Sequence, residues 1–143
     1  MTKETICFST IGTIHTSFSQ QEGTPIQGIM APDELGTVEV FEEFQNGLKD
    51  IDGFSHIILI YRFHHMRDGK LLVKPYLDTV ERGIFATRSP RRPNPLGMTT
   101  VRLLRVEGGI LHVSGVDMLD GTPLIDIKPY LGDFDHHEPD KVG

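Results

Sequence analysis

The chain has 143 residues, of which 38% are hydrophobic and 24% charged, a balance that excludes wholesale disorder. A chain of this length buries roughly two-thirds of its unfolded surface, which is enough for one core. We therefore predict a single domain over residues 1–143. The formal net charge of −6 disfavours indiscriminate binding of nucleic acid, because phosphate affinity comes largely from Lys and Arg.

The net charge conceals two segments of opposite sign. Residues 33–53 carry seven acids and one base, a net charge of −6, whereas residues 81–105 carry six arginines and one acid, a net charge of +5. Such separation can build a local positive field on an acidic protein. The alternative is that both segments simply face solvent in a mixed charge lattice.

Cysteine use and apolar runs indicate the compartment. Cys7 is the only cysteine, so no intrachain disulfide and no cysteine-based zinc site is expected. Its apolar neighbours predict a buried small side chain. The first residues lack the apolar core of a signal peptide, and the run 57–61 is too short to cross a bilayer. A cytoplasmic location is the default expectation.

Short β-branched runs separated by turn dipeptides predict a mainly β protein. In chain order, the runs cover residues 6–17, 37–41, 55–63, 71–73, 84–87, 97–106, 110–116 and 124–127. Gly108-Gly109 is the clearest hairpin turn. Helical spacing over residues 41–51 predicts one short amphipathic helix. Since few helices are available for crossovers, we predict an antiparallel barrel or curled sheet.

The segment 83–97 is rich in proline and arginine. Three prolines stiffen this loop by fixing φ, and it carries Arg88, Arg91 and Arg92. Guanidinium groups suit phosphate and carboxylate oxygens and also stack on bases. The pattern is therefore typical of a preorganised grip for an anion or a nucleic acid. A purely structural crossover with solvated arginines is the alternative.

The segment 115–131 places three aspartates among apolar residues. Asp117, Asp120 and Asp126 are suited to bind hydroxyl groups or to offset a ligand cation. Asp120 precedes Gly121, and the commoner role of Asp at that position is to cap its own turn. Both interpretations of Asp120 remain open at this point.

Seven histidines raise the question of a metal site. The adjacent pairs His64-His65 and His136-His137 would point to opposite faces of a strand, and no HExxH-like spacing occurs. We therefore expect one of His64 and His65 to face a cleft, and the second pair to lie in a solvated or dimer-contacting tail. Neither a nucleophile elbow nor a Walker loop is present. A metal-dependent enzyme remains a third alternative.

Three stretches closely resemble the TsaA-like (UPF0066) family, which includes the TrmO-type tRNA (adenine-N6)-methyltransferases. They are FSHIILIYRFHH, GIFATRSPRRPNPLGMTTVRLL and GVDMLDGTPLIDIKPYL, and the similarity runs from about residue 11 to residue 131. The resemblance implies a single-sheeted, antiparallel β-barrel with one or two short helices and a tail over residues 132–143. It also implies S-adenosyl-L-methionine as cofactor, a homodimer, and N6-threonylcarbamoyladenosine beside the tRNA anticodon as substrate.

The resemblance also implies which residues contact the cofactor. These residues are Pro25, Gln27, His64, His65, Arg88, Leu96, Asp117, Met118, Leu119 and Asp120. Arg88 would hold the cofactor carboxylate through a charge-assisted fork. Asp117 or Asp120 would accept hydrogen bonds from ribose hydroxyls or the amino group, and the backbone of residues 118–119 would read adenine.

The sequence also suggests which residues contact the RNA substrate. We predict that Arg91 and Arg92 contact the tRNA backbone, and that no metal takes part. The sequence identifies no catalytic base. Two alternatives are a non-catalytic barrel that binds RNA or a nucleotide, and a methyltransferase with a different acceptor.

Overall fold

Six antiparallel strands close into a barrel in the computed structural model, which describes residues 3–19, 33–75 and 77–143. In chain order the strands are β1 Gly12–His15, β2 Leu35–Val40, β3 His56–Arg62, β4 Leu72–Val73, β5 Arg82–Gly83, β6 Leu96–Glu107, β7 Ile110–Ser114 and β8 Thr122–Pro129. The order around the barrel is β1-β2-β7-β6-β3-β8, and β4 and β5 form a separate two-stranded sheet. The predicted antiparallel barrel is confirmed, with this small second sheet in addition.

The barrel core follows from the alternation of side chains along each strand. β6 buries every second residue from Gly97 to Leu103, and β3 buries Ile57, Leu59 and Tyr61. Successive side chains on a strand point to opposite faces, so these residues all face inward. β3 is hydrogen-bonded on one side to β6 and on the other to β8, as expected for a central strand.

The Gly-Gly pair forms the predicted hairpin. Glu107 at the end of β6 pairs with Ile110 at the start of β7, which leaves two residues in the turn. Gly108 has a φ of 60°, a conformation that glycine adopts without steric cost. The hairpin prediction is therefore confirmed.

The predicted amphipathic helix is a 3₁₀ helix over Glu42–Leu48, followed by a 3₁₀ turn over Ile51–Gly53. Phe44, Leu48 and Ile51 pack against the core, so the predicted apolar face is real. The segment is too short for a stable α-helix and contains Gly47. The helix therefore takes the tighter 3₁₀ form. A single α-helical turn, α1, covers Gly132–Asp135.

Two local predictions are wrong. The run 84–87, predicted as a strand, contains a 3₁₀ turn over Ile84–Ala86, because Ile84 is buried and Thr87 closes the turn on the Ile84 carbonyl. Cys7, predicted to be buried, is exposed. Residues 3–10 are all exposed and precede β1, so their apolar side chains have no core to join.

Candidate functional site

One end of the barrel gathers the segments that the sequence singled out. At this end β1, β3 and β7 finish while β2, β6 and β8 begin, as the pairs Ile14–Thr122, Tyr61–Gly97 and Leu35–Ser114 establish. We define the site rim as residues 14–18, 61–65, 84–97 and 115–122. The rim contains the pair His64-His65, the arginine loop (residues 87–95, between the turn 84–86 and β6) and the aspartate turn (residues 117–120).

A hydrogen-bonded network at the rim fixes the Asp117 carboxylate. Thr99 Oγ1 donates to Asp117 Oδ1 at 2.8 Å and lies 2.7 Å from the Tyr61 hydroxyl. Tyr61 also donates to Asp117 Oδ1 at a longer 3.4 Å. Because Thr99 gives its only proton to Asp117, its oxygen accepts from Tyr61, whose single proton is shared between Thr99 at 2.7 Å and Asp117 at 3.4 Å. The carboxylate is therefore held by two hydroxyl groups from neighbouring strands.

The electrostatics of Tyr61 link this network to the arginine loop. Burial raises the pKa of Tyr61 far above its ordinary value of 10.0, and the negative charge of Asp117 raises it further. The positive charge of Arg88 acts in the opposite direction and lowers the same pKa. The Tyr61 hydroxyl therefore stays protonated at physiological pH. Arg88 lies near enough for its charge to act on the network.

Glycine at position 97 allows the aromatic rings to lie against β6. A Cβ atom at Gly97 would lie 2.6 Å from Tyr61 Cζ and 2.8 Å from Phe63 Cζ, closer than carbon atoms approach. The two rings meet edge to face with centroids 5.5 Å apart, a favourable arrangement for aromatic pairs. Gly97 therefore sets the position of the tyrosine that supports Asp117.

The aspartate turn is attached to the end of β1. Thr16 Oγ1 donates to the Met118 carbonyl at 2.9 Å, and the Thr16 amide donates to Asp120 Oδ1 at 3.0 Å. On the other side, Thr122 Oγ1 donates to the Leu119 carbonyl at 2.6 Å. The Asp120 carboxylate thus accepts a hydrogen bond from the residue that follows β1, and this bond holds its turn against the end of that strand.

Arg92 holds the arginine loop together from within. It is half-buried, and its Nη1 donates to the carbonyls of Thr87 and Ser89 at 2.9 and 3.1 Å. Arg88 and Arg91 are exposed. One of the three arginines therefore supports the loop itself, whereas the other two present their side chains at its surface.

The two histidines lie in a turn beyond β3 and do not extend the strand. β3 ends at Arg62, and the rings of His64 and His65 are neighbours with centroids 4.1 Å apart. The prediction that they point to opposite faces is therefore wrong. His64 is half-buried, and burial lowers its pKa from 6.5, with smaller effects from His65 and Arg62. It therefore favours the neutral form at neutral pH.

The rim brings together most of the predicted cofactor residues. His64, Arg88 and Leu96 lie on it with the turn 117–120; Leu96, 40% exposed, begins β6 opposite Arg62. Asp126 lies in β8, where it pairs with Lys128 at 3.1 Å. The predicted contacts Pro25 and Gln27 lie outside the described residues.

Three residues of the candidate site, Tyr61, Thr16 and Thr99, are not predicted from the sequence. Tyr61 lies in an apolar run and so looked like core, and Thr16 has no distinctive pattern around it. Thr99 did carry a signal, because it is the polar member of the inward-facing series that includes Val101 and Leu103. A buried hydroxyl needs a hydrogen-bond partner, and that need points to a polar site.

Two other features bear on where the site lies. Across residues 3–19, 33–75 and 77–143, no three His, Cys, Asp or Glu side chains are grouped closely enough to hold a metal ion. A cleft of about 420 Å³ opens along β1, β2, β7 and β6 and is lined by His15, Thr16, Leu35, Gly36, Thr37, Leu104, Arg105, His112 and Val113. Since this cleft includes neither Asp117 nor its supporting hydroxyls, we place the candidate site at the rim.

Several known proteins are similar to this chain in both sequence and fold. A probable S-adenosyl-L-methionine-binding protein of Pyrococcus abyssi is 54% identical over 96% of this chain and 75% of its own length. A mouse tRNA (adenine(37)-N6)-methyltransferase is 37% identical over 87% of this chain, which spans only 31% of that protein. The crystal structure of TrmO from Pseudomonas aeruginosa superposes with a TM-score of 0.83 at 36% identity, covering 98% of this chain and 62% of that one.

The family described as the tRNA-methyltransferase O N-terminal domain matches residues 13–136. The match contains all six barrel strands except the first residue of β1, together with the whole described rim. The chain therefore belongs to the family of tRNA-methyltransferase O N-terminal domains.

Proposed function

We propose that this protein is an S-adenosyl-L-methionine-dependent methyltransferase that methylates N6 of adenine in tRNA, with N6-threonylcarbamoyladenosine beside the anticodon as acceptor. The observation that carries the proposal is the Asp117 carboxylate, fixed by Thr99 and Tyr61 at the rim of a barrel of this family. The names of the mouse and archaeal relatives support the acceptor and the cofactor.

The side chains of the rim fit the chemical groups of the cofactor. Arg88 offers a guanidinium fork for the carboxylate, and Asp117 and Asp120 offer acceptors for ribose hydroxyls or the amino group. The carbonyls of Met118 and Leu119 already accept threonine hydroxyls, so the backbone that would read adenine is held in place. His64, His65 and Leu96 complete the proposed contacts, with Pro25 and Gln27.

Methyl transfer depends mainly on positioning. When bound, S-adenosyl-L-methionine would supply a methyl group on a positively charged sulfur for transfer to the acceptor nitrogen, and Arg88 with the turn 117–120 would hold it. Correct alignment of two reactants can supply roughly 7–11 kcal/mol of barrier reduction. In this proposal Arg88 and the turn 117–120 orient the cofactor. The neutral His64 and the Asp117 carboxylate are the candidates to accept the nitrogen's proton.

The first test of the proposal compares two exposed arginines of the same loop. By calorimetry, Arg88→Ala should weaken cofactor binding strongly, whereas Arg91→Ala should leave it unchanged and weaken tRNA binding instead. A folded protein that binds no cofactor, or equal losses in the two variants, contradicts the assignment.

The second test identifies the acceptor. Mass spectrometry of tRNA nucleosides from cells with and without the gene should reveal one methyl group that depends on this protein. If tRNA binding is intact but no methyl group is lost, the protein is the non-catalytic RNA-binding barrel. If another molecule loses the methyl group, the acceptor is different.

The homodimer and the cytoplasmic location also stay predictions. Met98 and Leu104 are 59% and 47% exposed on the outer face of β6 and supply apolar surface for a dimer, which light scattering would measure. Within the described part of the chain, no helix is both long and apolar enough to cross a membrane. The division into one domain over 1–143 with a tail from 132 is likewise a proposal.

A further inference from the structure

A group of exposed apolar side chains lies beside the arginine loop. We call Leu71, Leu72, Val80 and Phe85 the ribbon patch; they are 68%, 57%, 53% and 77% exposed. They belong to the small sheet in which Leu72 pairs with Gly83, or to the segments next to it. The barrel core does not account for these residues, since none of them packs into it.

The backbone beneath Phe85 is firmly held. Its neighbour Ile84 is 1% exposed, and the Ile84 amide donates to the Leu71 carbonyl at 2.9 Å. Thr87 then donates to the Ile84 carbonyl twice, through its amide at 3.1 Å and its hydroxyl at 2.9 Å. A large ring on such a turn is displayed to solvent with little backbone freedom to lose on binding.

The ribbon patch and the arginine loop form one hydrogen-bonded unit. The Lys70 amide donates to the Arg91 carbonyl at 3.0 Å. A Cβ atom at Gly69 would lie 2.9 Å from the Arg92 carbonyl oxygen, so these backbones are in close contact. The exposed ring of Phe85 and the exposed guanidinium of Arg91 are therefore carried by the same rigid support.

The charge around the ribbon patch is strongly positive for this protein. Residues 67–92 contain seven Lys and Arg against three Asp and Glu, a net charge of +4, whereas the rest of the chain carries 7 − 17 = −10. A positive field with an exposed aromatic ring is the combination that binds single-stranded nucleic acid. An isologous contact with a second copy would instead bring two such positive patches together.

We propose that the ribbon patch binds unpaired nucleotides of the RNA substrate, with a base stacked on Phe85 and the neighbouring phosphates held by Arg91 and Lys70. This inference rests on the proposed function and adds to it the part of the surface that selects single-stranded RNA. Stacking on an aromatic face tolerates any base, so Phe85 contributes affinity for an open loop and little sequence preference.

The experiment measures binding of a tRNA anticodon stem-loop by fluorescence anisotropy, beside an RNA duplex of equal length. Phe85→Ala should bind the stem-loop roughly 5- to 100-fold more weakly, the loss expected for one stacked base, and bind the duplex as wild type does. Phe85→Trp should restore stem-loop binding. Phe134→Ala is the matched control, because Phe134 is 75% exposed but lies in α1 near the C-terminus.

Each contrary result has a defined meaning. If Phe85→Ala binds the stem-loop within twofold of wild type, or loses duplex affinity equally, the inference is overturned while the proposed function stands. If Phe85→Ala changes the oligomeric state by light scattering, the patch is a protein interface and the inference also fails. A wild-type protein that binds S-adenosyl-L-methionine but no RNA overturns the proposed acceptor together with the inference.

Discussion

Replacing Gly97 by alanine tests whether the packing of Tyr61 against β6 governs both stability and the site. The new Cβ would lie 2.6 Å from Tyr61 Cζ and 2.8 Å from Phe63 Cζ, where ordinary contact begins at 3.4 Å. Tyr61 Cε2 lies closer still, so the Phe63 ring must move by about 0.6 Å and the Tyr61 ring by more than about 0.8 Å. Added bulk in a packed site typically costs about 1–3 kcal/mol.

The movement also acts on the hydrogen bonds of Tyr61. Its hydroxyl lies 2.7 Å from Thr99 and 3.4 Å from Asp117, so a shift of this size weakens the shorter bond and breaks the longer one. A lost hydrogen bond adds about 1 kcal/mol. We expect Gly97→Ala to lower the free energy of unfolding by about 2–4 kcal/mol in total and to weaken cofactor binding.

Urea denaturation and calorimetry measure the two effects. Gly47→Ala is the matched control, because a Cβ at Gly47 meets nothing within 4 Å. Stability within about 0.5 kcal/mol of that control, the usual range for a neutral surface substitution, would refute the reasoning. Unchanged cofactor affinity in a destabilised Gly97→Ala protein would separate Tyr61 packing from the site.

Two further predictions concern hydroxyl support and pH. Thr99→Val removes the hydroxyl that links Tyr61 to Asp117 and should destabilise the protein by about 1–3 kcal/mol and weaken cofactor binding. Thr99→Ser keeps the hydroxyl and loses only a buried methyl group, so it should cost about 1 kcal/mol and leave cofactor binding unchanged. Equal loss of cofactor binding in the two variants would contradict this. Because burial lowers the pKa of His64 below its unfolded value of 6.5, the unfolded state binds more protons and stability falls as pH drops below about 6.5. His64→Gln should lose less stability than wild type between pH 8 and pH 5, measured by denaturation with His137→Gln as control, and parallel curves would reject this role.

The barrel could be predicted from the sequence because alternation reports burial directly. Val38 and Val40 alternate along β2, and both face the core. The same reasoning failed for residues 84–87, whose buried member, Ile84, is followed by an exposed Phe85 in a turn. Over so few residues, one buried side chain fits a strand and a 3₁₀ turn equally well.

The site was only partly predictable, for a different physical reason. The family resemblance predicts Arg88 and the turn 117–120 as site residues, because each lies within a short contiguous motif of the sequence. The hydroxyls that support the turn come from distant strands: Thr99 lies 18 residues before Asp117, and Thr16 lies 102 residues before Met118. Which threonine contacts which part of the turn depends on closure of the barrel, and no local sequence pattern predicts those contacts.

The attachment of the aspartate turn to Thr16 makes the site an indicator of complete folding. Thr16 directly follows β1, the turn leads into β8, and β1 pairs with β8 to close the barrel. Contacts between residues more than 100 positions apart demand closure of nearly the whole chain. A partly folded chain, or one opened along the β1–β8 seam, therefore cannot hold the turn in its binding geometry. Any ligand that selects this turn will also stabilise the seam, since a molecule that binds only the native state shifts the folding equilibrium toward it.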